Sequence, residues 1–310
     1  MSPESSLFVL AEEVRAALHD HRPIVALEST VIAHGLPYPQ NLTVAREMEA
    51  LIREEGVVPA TIALAEGRIH VGLGEELLER LARADHVDKV SLRNIGIVLA
   101  RRRLGATTVA GTMWVAARVG IRVFATGGTG GVHKGGIDVS ADLPALARLP
   151  VAVVSAGVKS LLDVRATREW LETHGVPILG VGTKELPGFY TRTTGLPVDE
   201  RVEDAADAAR LVAAHWRAGL RTGVLVTLPL AEEDALTPEE MERALRRAED
   251  EAAARGITGP QVTPYVLAAL ARLTEGRSVR ANLTLLRQNA RFAARLARHL
   301  AEEAIIPPPE

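Results

Sequence analysis

Short apolar runs alternate along the chain with longer stretches whose apolar residues recur every three or four positions. The runs are Ile24–Leu27, Ile121–Ala125, Val151–Ser155, Ile178–Val181 and Gly223–Leu228. Nearly unbroken apolar runs of this length predict strands buried on both faces, as in a parallel sheet covered by helices. The periodic stretches are Leu7–Leu18, Asn41–Glu55, Leu92–Arg103, Val109–Arg118, Leu161–Thr173, Glu203–Arg217 and Asn282–Glu303. Their spacing predicts amphipathic helices, several ending at a glycine such as Gly56, Gly105 or Gly120. Two strands, Thr61–Leu64 and Ile69–Leu73, flank Glu66-Gly67 and predict a hairpin. Thr237 with Glu240 reads as a capping box that opens a charged helix. The alternation predicts one α/β domain over residues 1–310, a mostly parallel sheet with helices on both faces.

Composition narrows the function more than the fold. Of 310 residues, 47% are hydrophobic and 24% charged, enough for a sizeable core in an ordinary globular chain. Aromatics are only 3%, so the core is Val, Leu, Ile and Ala, and stacking platforms for single-stranded nucleic acid are not expected. The net charge of -3 offers no bulk attraction to nucleic acid or anionic membrane. The absence of cysteine excludes disulfides, thiolate catalysis and Cys-ligated metal. No apolar stretch approaches the ~20 residues of a membrane helix, and no basic-then-apolar leader opens the chain. A cytoplasmic protein acting on a small molecule is expected.

The residues that could carry chemistry sit where predicted strands end. Lys159 follows the run Val151–Ser155 and would emerge at the carboxyl edge of the sheet, where open α/β folds bind ligands. It reads as an amine nucleophile or as a solvated lysine opening the next helix. Thr126-Gly127-Gly128-Thr129-Gly130-Gly131-Val132-His133-Lys134-Gly135-Gly136 reads as a backbone cradle for an anion or as a surface loop. It matches neither the dinucleotide fingerprint nor a P-loop. In Asp138-Val139-Ser140-Ala141-Asp142 two carboxylates four apart suit a hard divalent cation, or else a helix cap before Leu143. Glu28 ends the run Ile24–Leu27 and is either a general acid/base or a turn glutamate. Lys89 is a phosphate contact or a surface partner of Asp85 or Asp88. His34 and His70 read as structural.

Several segments together resemble the pseudouridine-5′-phosphate glycosidase family, which includes indigoidine synthase A-type proteins. They are Val25-Ala26-Leu27-Glu28-Ser29-Thr30-Val31-Ile32-Ala33-His34-Gly35, Thr107-Thr108-Val109-Ala110-Gly111-Thr112-Met113, the glycine loop, Asp138–Asp142, Ser155-Ala156-Gly157-Val158-Lys159-Ser160, Gly188-Phe189-Tyr190-Thr191-Arg192 and Ala281-Asn282. The resemblance implies a three-layer α/β/α fold with a central mixed, mostly parallel sheet, and a homotrimer. It implies that Lys159 is the nucleophile, Glu28 the proton donor and Asp138 the ligand of one Mn²⁺ per subunit. It further implies substrate contacts from Lys89, Val109, Ser140, Ala141 and Asp142, with Thr126, His133 and Asn282 beside them. The implied reaction is reversible cleavage of pseudouridine 5′-phosphate to uracil and ribose 5-phosphate through a lysine–ribose Schiff base. The sequence departs from the family pattern in a shorter His133–Asp138 segment and in Ser155, where cysteine is expected.

Overall fold

The buried apolar runs form the middle of an 11-stranded sheet. The computed structural model describes residues 7–136, 138–257 and 262–303. The strands are β1 (Phe8–Leu10), β2 (Ile24–Leu27), β3 (Val58–Ala65), β4 (Arg68–Val71), β5 (Asp88–Val90), β6 (Gly105–Thr107), β7 (Val123–Ala125), β8 (Ala152–Ser155), β9 (Ile178–Val181), β10 (Glu200–Val202) and β11 (Val224–Thr227). Their order is β1-β4-β3-β2-β7-β8-β11-β9-β10, with β6 branching from β3 and β5 pairing β6. Pairing is parallel except between β3 and β4 and between β3 and β6. The predicted mixed, mostly parallel sheet is therefore present.

The helices are α1 (Glu12–His19), α2 (Gln40–Glu54), α3 (Glu75–Arg83), α4 (Ile95–Ala100), α5 (Val109–Val119), α6 (Asp142–Leu146), α7 (Val164–Thr173), α8 (Ala205–Arg217), α9 (Pro238–Ala254), α10 (Val262–Leu273) and α11 (Arg277–Glu302). A π-helical turn, Val31–Gly35, lies between β2 and α2. Successive strand residues point to opposite faces, and the core divides accordingly. Val25, Leu27, Val123, Ala125, Val154 and Val226 pack with Met48 of α2, Val212 of α8 and Leu285 and Leu296 of α11. Ile24, Ala26, Phe124, Val153 and Leu225 pack with Val14 of α1, Met113 of α5 and Leu171 of α7. These are the two helical layers of an α/β/α sandwich. Along one of them, Arg287, Arg291 and Arg295 of α11 pair with Glu47, Glu54 and Glu55 at the α2 end. Such half-exposed pairs contribute little singly, but they register the last helix against the second.

Two predicted helices are shorter than their apolar period. Leu7–Leu18 divides: Phe8–Leu10 pairs in parallel with β4, and the helix starts only at Glu12. Leu92–Arg103 reduces to Ile95–Ala100, because Asn94 folds its lead-in into a turn. Its Oδ1 accepts from Ser91 N–H and its Nδ2 donates to Lys89 O. The hairpin forms as expected, with Glu66 and Gly67 both at positive φ (55° and 78°). The capping box of Thr237 and Glu240 is also present.

Candidate active site

Because β2, β7 and β8 are parallel neighbours, their carboxyl ends open on one edge, and Glu28, Thr126 and the Ala156–Lys159 segment meet there. Glu28 is the first residue past β2 and is buried, 7% exposed. Thr30 Oγ1 donates to its Oε2 and Thr126 Oγ1 to its Oε1, so each carboxylate oxygen has a donor and the carboxyl plane is fixed. The next residue anchors the strand end. Ser29 Oγ donates to Ile62 O (2.6 Å) and accepts from Thr107 N–H (2.9 Å). Thr107 Oγ1 also donates to Ile62 O, and Thr112 Oγ1 donates to Thr107 Oγ1. This fully buried hydroxyl network ties the end of β2 to the end of β6.

The glycine loop prolongs the sheet instead of lying over its surface. Ala156 N–H donates to Gly127 O (2.9 Å), Thr129 N–H to Gly157 O (3.0 Å) and Lys159 N–H to Thr129 O (3.1 Å). Asp142 locks the loop from the other side. Its Oδ2 accepts from Gly130 N–H (2.8 Å) and its Oδ1 from Ala110 N–H (2.9 Å) in the first turn of α5. Asp142 therefore caps a remote helix instead of its own, satisfying an otherwise orphaned N–H. A Cβ on Gly130 would fall onto Ser140 Oγ and the Asp142 carboxylate, so only glycine fits. Phe189 closes the loop's other face. Its ring lies where a Cβ on Gly128 would be, and its own φ of 66° is a strained conformation for an aromatic residue.

Lys159 does not open a helix. It lies in a turn closed by Leu162 N–H on Lys159 O (3.0 Å), and α7 starts at Val164 with Asp163 as its cap. Its side chain is exposed beyond the glycine loop. Lys89 is also exposed, and Asp88 pairs with Arg103 instead (2.9 Å). Thr108 N–H donates to Val90 O (2.9 Å), which sets the Lys89 strand against the start of α5, where Val109 is buried. Ser140 N–H donates to Gly131 O, and Ser140 Oγ accepts from Asp142 N–H. Ala141 precedes α6 and is exposed. Asn282 lines a cavity of about 490 Å³ together with His34, Gln40, Tyr190 and Ser278.

His34, read from the sequence as structural, lines the same cavity as Asn282. Partial burial and then the Lys89 ammonium lower its pKa below the ordinary value. Burial raises the Tyr190 phenol.

Asp138 and Asp142 do not share a cluster. Asp142 is buried against backbone amides, whereas Asp138 is exposed with His133 Nε2 3.6 Å from its Oδ2. Among the described residues no group of three His, Asp or Glu converges as a metal cage. A hard cation that keeps most of its waters needs only one or two carboxylates, and the accessible Asp138 carboxylate meets that requirement.

With this geometry in hand, comparison with known proteins is specific. The family described as "Indigoidine synthase A like protein" matches residues 13–299. A pseudouridine-5'-phosphate glycosidase of Cupriavidus pinatubonensis is 51% identical over 302 residues, 96% of each chain. One of Caldanaerobacter subterraneus is 50% identical over 291 residues, 93% of this chain and 95% of that protein. Among solved structures, the prealnumycin C-glycosynthase AlnA in complex with ribulose 5-phosphate superposes with a TM-score of 0.89 at 41% identity, covering 96% of this chain and 97% of that one. An indigoidine synthase A-like protein of Thermotoga maritima superposes with a TM-score of 0.87 at 37% identity, covering 95% and 97%.

Proposed function

The chain belongs to the indigoidine synthase A-like family, and on that footing we propose that it splits the C–C glycosidic bond of pseudouridine 5′-phosphate, reversibly, into uracil and ribose 5-phosphate. It is an enzyme, and its substrate is a small molecule. The observation that carries the reading is the buried Glu28 carboxyl, held on both oxygens at the strand edge from which the Lys159 turn emerges.

A C–C glycosidic bond cannot be broken by protonating a leaving nitrogen or oxygen. An amine provides another route. Lys159 Nζ attacks C1′ and the ring oxygen O4′ leaves, taking up a proton, so that C1′ carries both the lysine nitrogen and the uracil ring. Glu28 then delivers a proton to the ring carbon while the nitrogen lone pair expels it. The C1′–C5 bond breaks, uracil departs and a Schiff base remains between Lys159 and ribose 5-phosphate. Water hydrolyses that imine and restores the amine.

Thr30 and Thr126 hold Glu28 in line for this transfer. Lys89 receives the phosphate as a point charge. Asn282 and His133 supply further contacts to the base or sugar phosphate. Mn²⁺ on Asp138, otherwise hydrated, would supply positive charge beside the phosphate. We also assign a homotrimer, on family resemblance.

The test is borohydride trapping. Incubation with pseudouridine 5′-phosphate and Mn²⁺ should release uracil and leave a ribose-phosphate increment on the Lys159 peptide. Lys159→Ala should lose turnover and adduct together, and full activity in that variant rules out the lysine route. A related reading, C–C bond chemistry on a different phosphorylated riboside, draws on the C-glycosynthase neighbour. The higher identity to the glycosidases favours the first, and a substrate panel separates the two.

A further inference from the structure

Asn289 lies on α11, two turns beyond Asn282, and is wholly buried. Its Nδ2 donates to Thr126 O at 2.9 Å and to Gly127 O at 3.4 Å, while its Oδ1 has no partner. Turning the amide over would set Oδ1 against two carbonyl oxygens, so the donation fixes its orientation. Leaving an acceptor buried and unpaired is unfavourable. A leucine would fill the same space without that defect, so what the asparagine adds here is its two N–H groups.

Those N–H groups reach the backbone that carries the site. Thr126 is the residue whose hydroxyl holds Glu28 Oε1. Gly127 O also accepts from Ala156 N–H, the first rung joining the glycine loop to the Lys159 segment. On the same face of α11, Leu285 and Leu286 lie 3.2 and 3.3 Å from where a Cβ on Gly127 would stand. Helix and strand end are thus packed with no slack, and the Asn289 amide sets where the carbonyls sit.

We propose that Asn289 is a positioning residue. It clamps the Thr126–Gly127 backbone from α11, sets the Thr126 hydroxyl, and through it aims the Glu28 carboxyl, while touching no substrate itself. This rests on the role of Glu28 in the function proposed above.

The experiment compares the full-length Asn289→Leu protein with Leu296→Ala, an equally buried position two turns further along α11. Hydrogen exchange of the 126–131 segment, measured without ligand, should quicken in Asn289→Leu and stay as in wild type in Leu296→Ala. In uracil release from pseudouridine 5′-phosphate, Asn289→Leu should lower kcat on the order of ten- to a hundredfold, the cost of a misplaced catalytic group. Its KM should move by less than about threefold, since ground-state contacts are intact. In a Thr126→Val background the same change should cost nothing further, because both act through one path. Should Asn289→Leu fail to fold, Asn289→Ser, which keeps one donor, carries the same comparisons with smaller effects.

Unchanged loop exchange, an equal kcat loss in Leu296→Ala, or losses that multiply in the double variant would overturn the proposal. Were wild-type protein to release no uracil, the substrate assignment would fall, and the exchange comparison would still decide the clamp.

Discussion

Asp142→Asn is the substitution whose cost the structure fixes most directly. The carboxylate is 6% exposed and accepts two backbone N–H groups, one from Gly130 at 2.8 Å and one from Ala110 at 2.9 Å. Asparagine has nearly the same shape, so no cavity term enters. It has one acceptor oxygen and turns an NH₂ toward the second N–H, leaving a buried donor facing a donor. Hydrogen bonds to a charged group contribute about 1.5–3 kcal/mol, and an orphaned buried donor costs about 1–3 kcal/mol. The variant should therefore lose about 2–4 kcal/mol. At roughly 2 °C per kcal/mol for a chain of this size, the melting temperature should fall by about 4–8 °C. Urea titration should show the midpoint shifted with an unchanged slope, both proteins being compared at one concentration so that assembly does not enter. If the amide NH₂ faces Gly130, the bond lost is the one that fixes the glycine loop, and function should fall with stability; if it faces Ala110, the start of α5 loosens instead. A melting point within about 1 °C of wild type would refute the reasoning, since the second N–H would then have found another acceptor.

Gly130→Ala should fold and yet lose binding of ribose 5-phosphate by calorimetry, because its methyl group would displace Ser140 and Asp142. Wild-type affinity would show that the loop conformation is not required. Asp138→Ala removes an exposed carboxylate; it should leave stability unchanged and raise the Mn²⁺ needed for half-maximal activity on the order of tenfold or more. An unaltered metal titration reassigns the ligand. Lys89→Ala should raise the His34 pKa, followed by NMR, while burial still keeps it below about 6.5. The depressed value means that neutral His34 supports the fold fully above about pH 6.5 and that this contribution fades as pH falls toward the lowered pKa. Lys89→Ala should narrow that window, and an unmoved His34 titration would separate the two side chains.

The sheet was legible wherever a strand was long enough to be covered on both faces. Val151 to Ser155 and Ile24 to Leu27 could hardly be anything else, and both became central strands. Phe8–Leu10, Asp88–Val90, Gly105–Thr107 and Glu200–Val202 have three residues each, too few for any period to register. Two of them matter for the site. The reversed direction of β6 against β3 brings Thr107 to the end of β2 and carries the Lys89 strand with it. That placement rests on hydrogen bonds between residues up to 78 positions apart, which no local pattern encodes.

The same division separates the candidate site residues from their supports. Glu28, Thr126 and Lys159 were visible because each interrupts the chain just where a buried run stops, and a polar group there faces the open edge of the sheet. Asp142 was ambiguous, because a carboxylate beside a turn explains itself locally as a cap, and Ser29 carried no reading of its own. Only the fold reveals that Ser29 bridges two strands and that Asp142 caps a helix beginning 33 residues earlier. Asn289 left one trace. It falls within the buried stripe of Leu285, Leu286, Ala290 and Ala293, where a polar side chain is unfavourable unless it satisfies groups on the facing element. A buried amide on such a stripe points across the interface to backbone that lacks a partner, and from residue 289 it points to the strand end carrying Thr126 and, through its hydroxyl, Glu28.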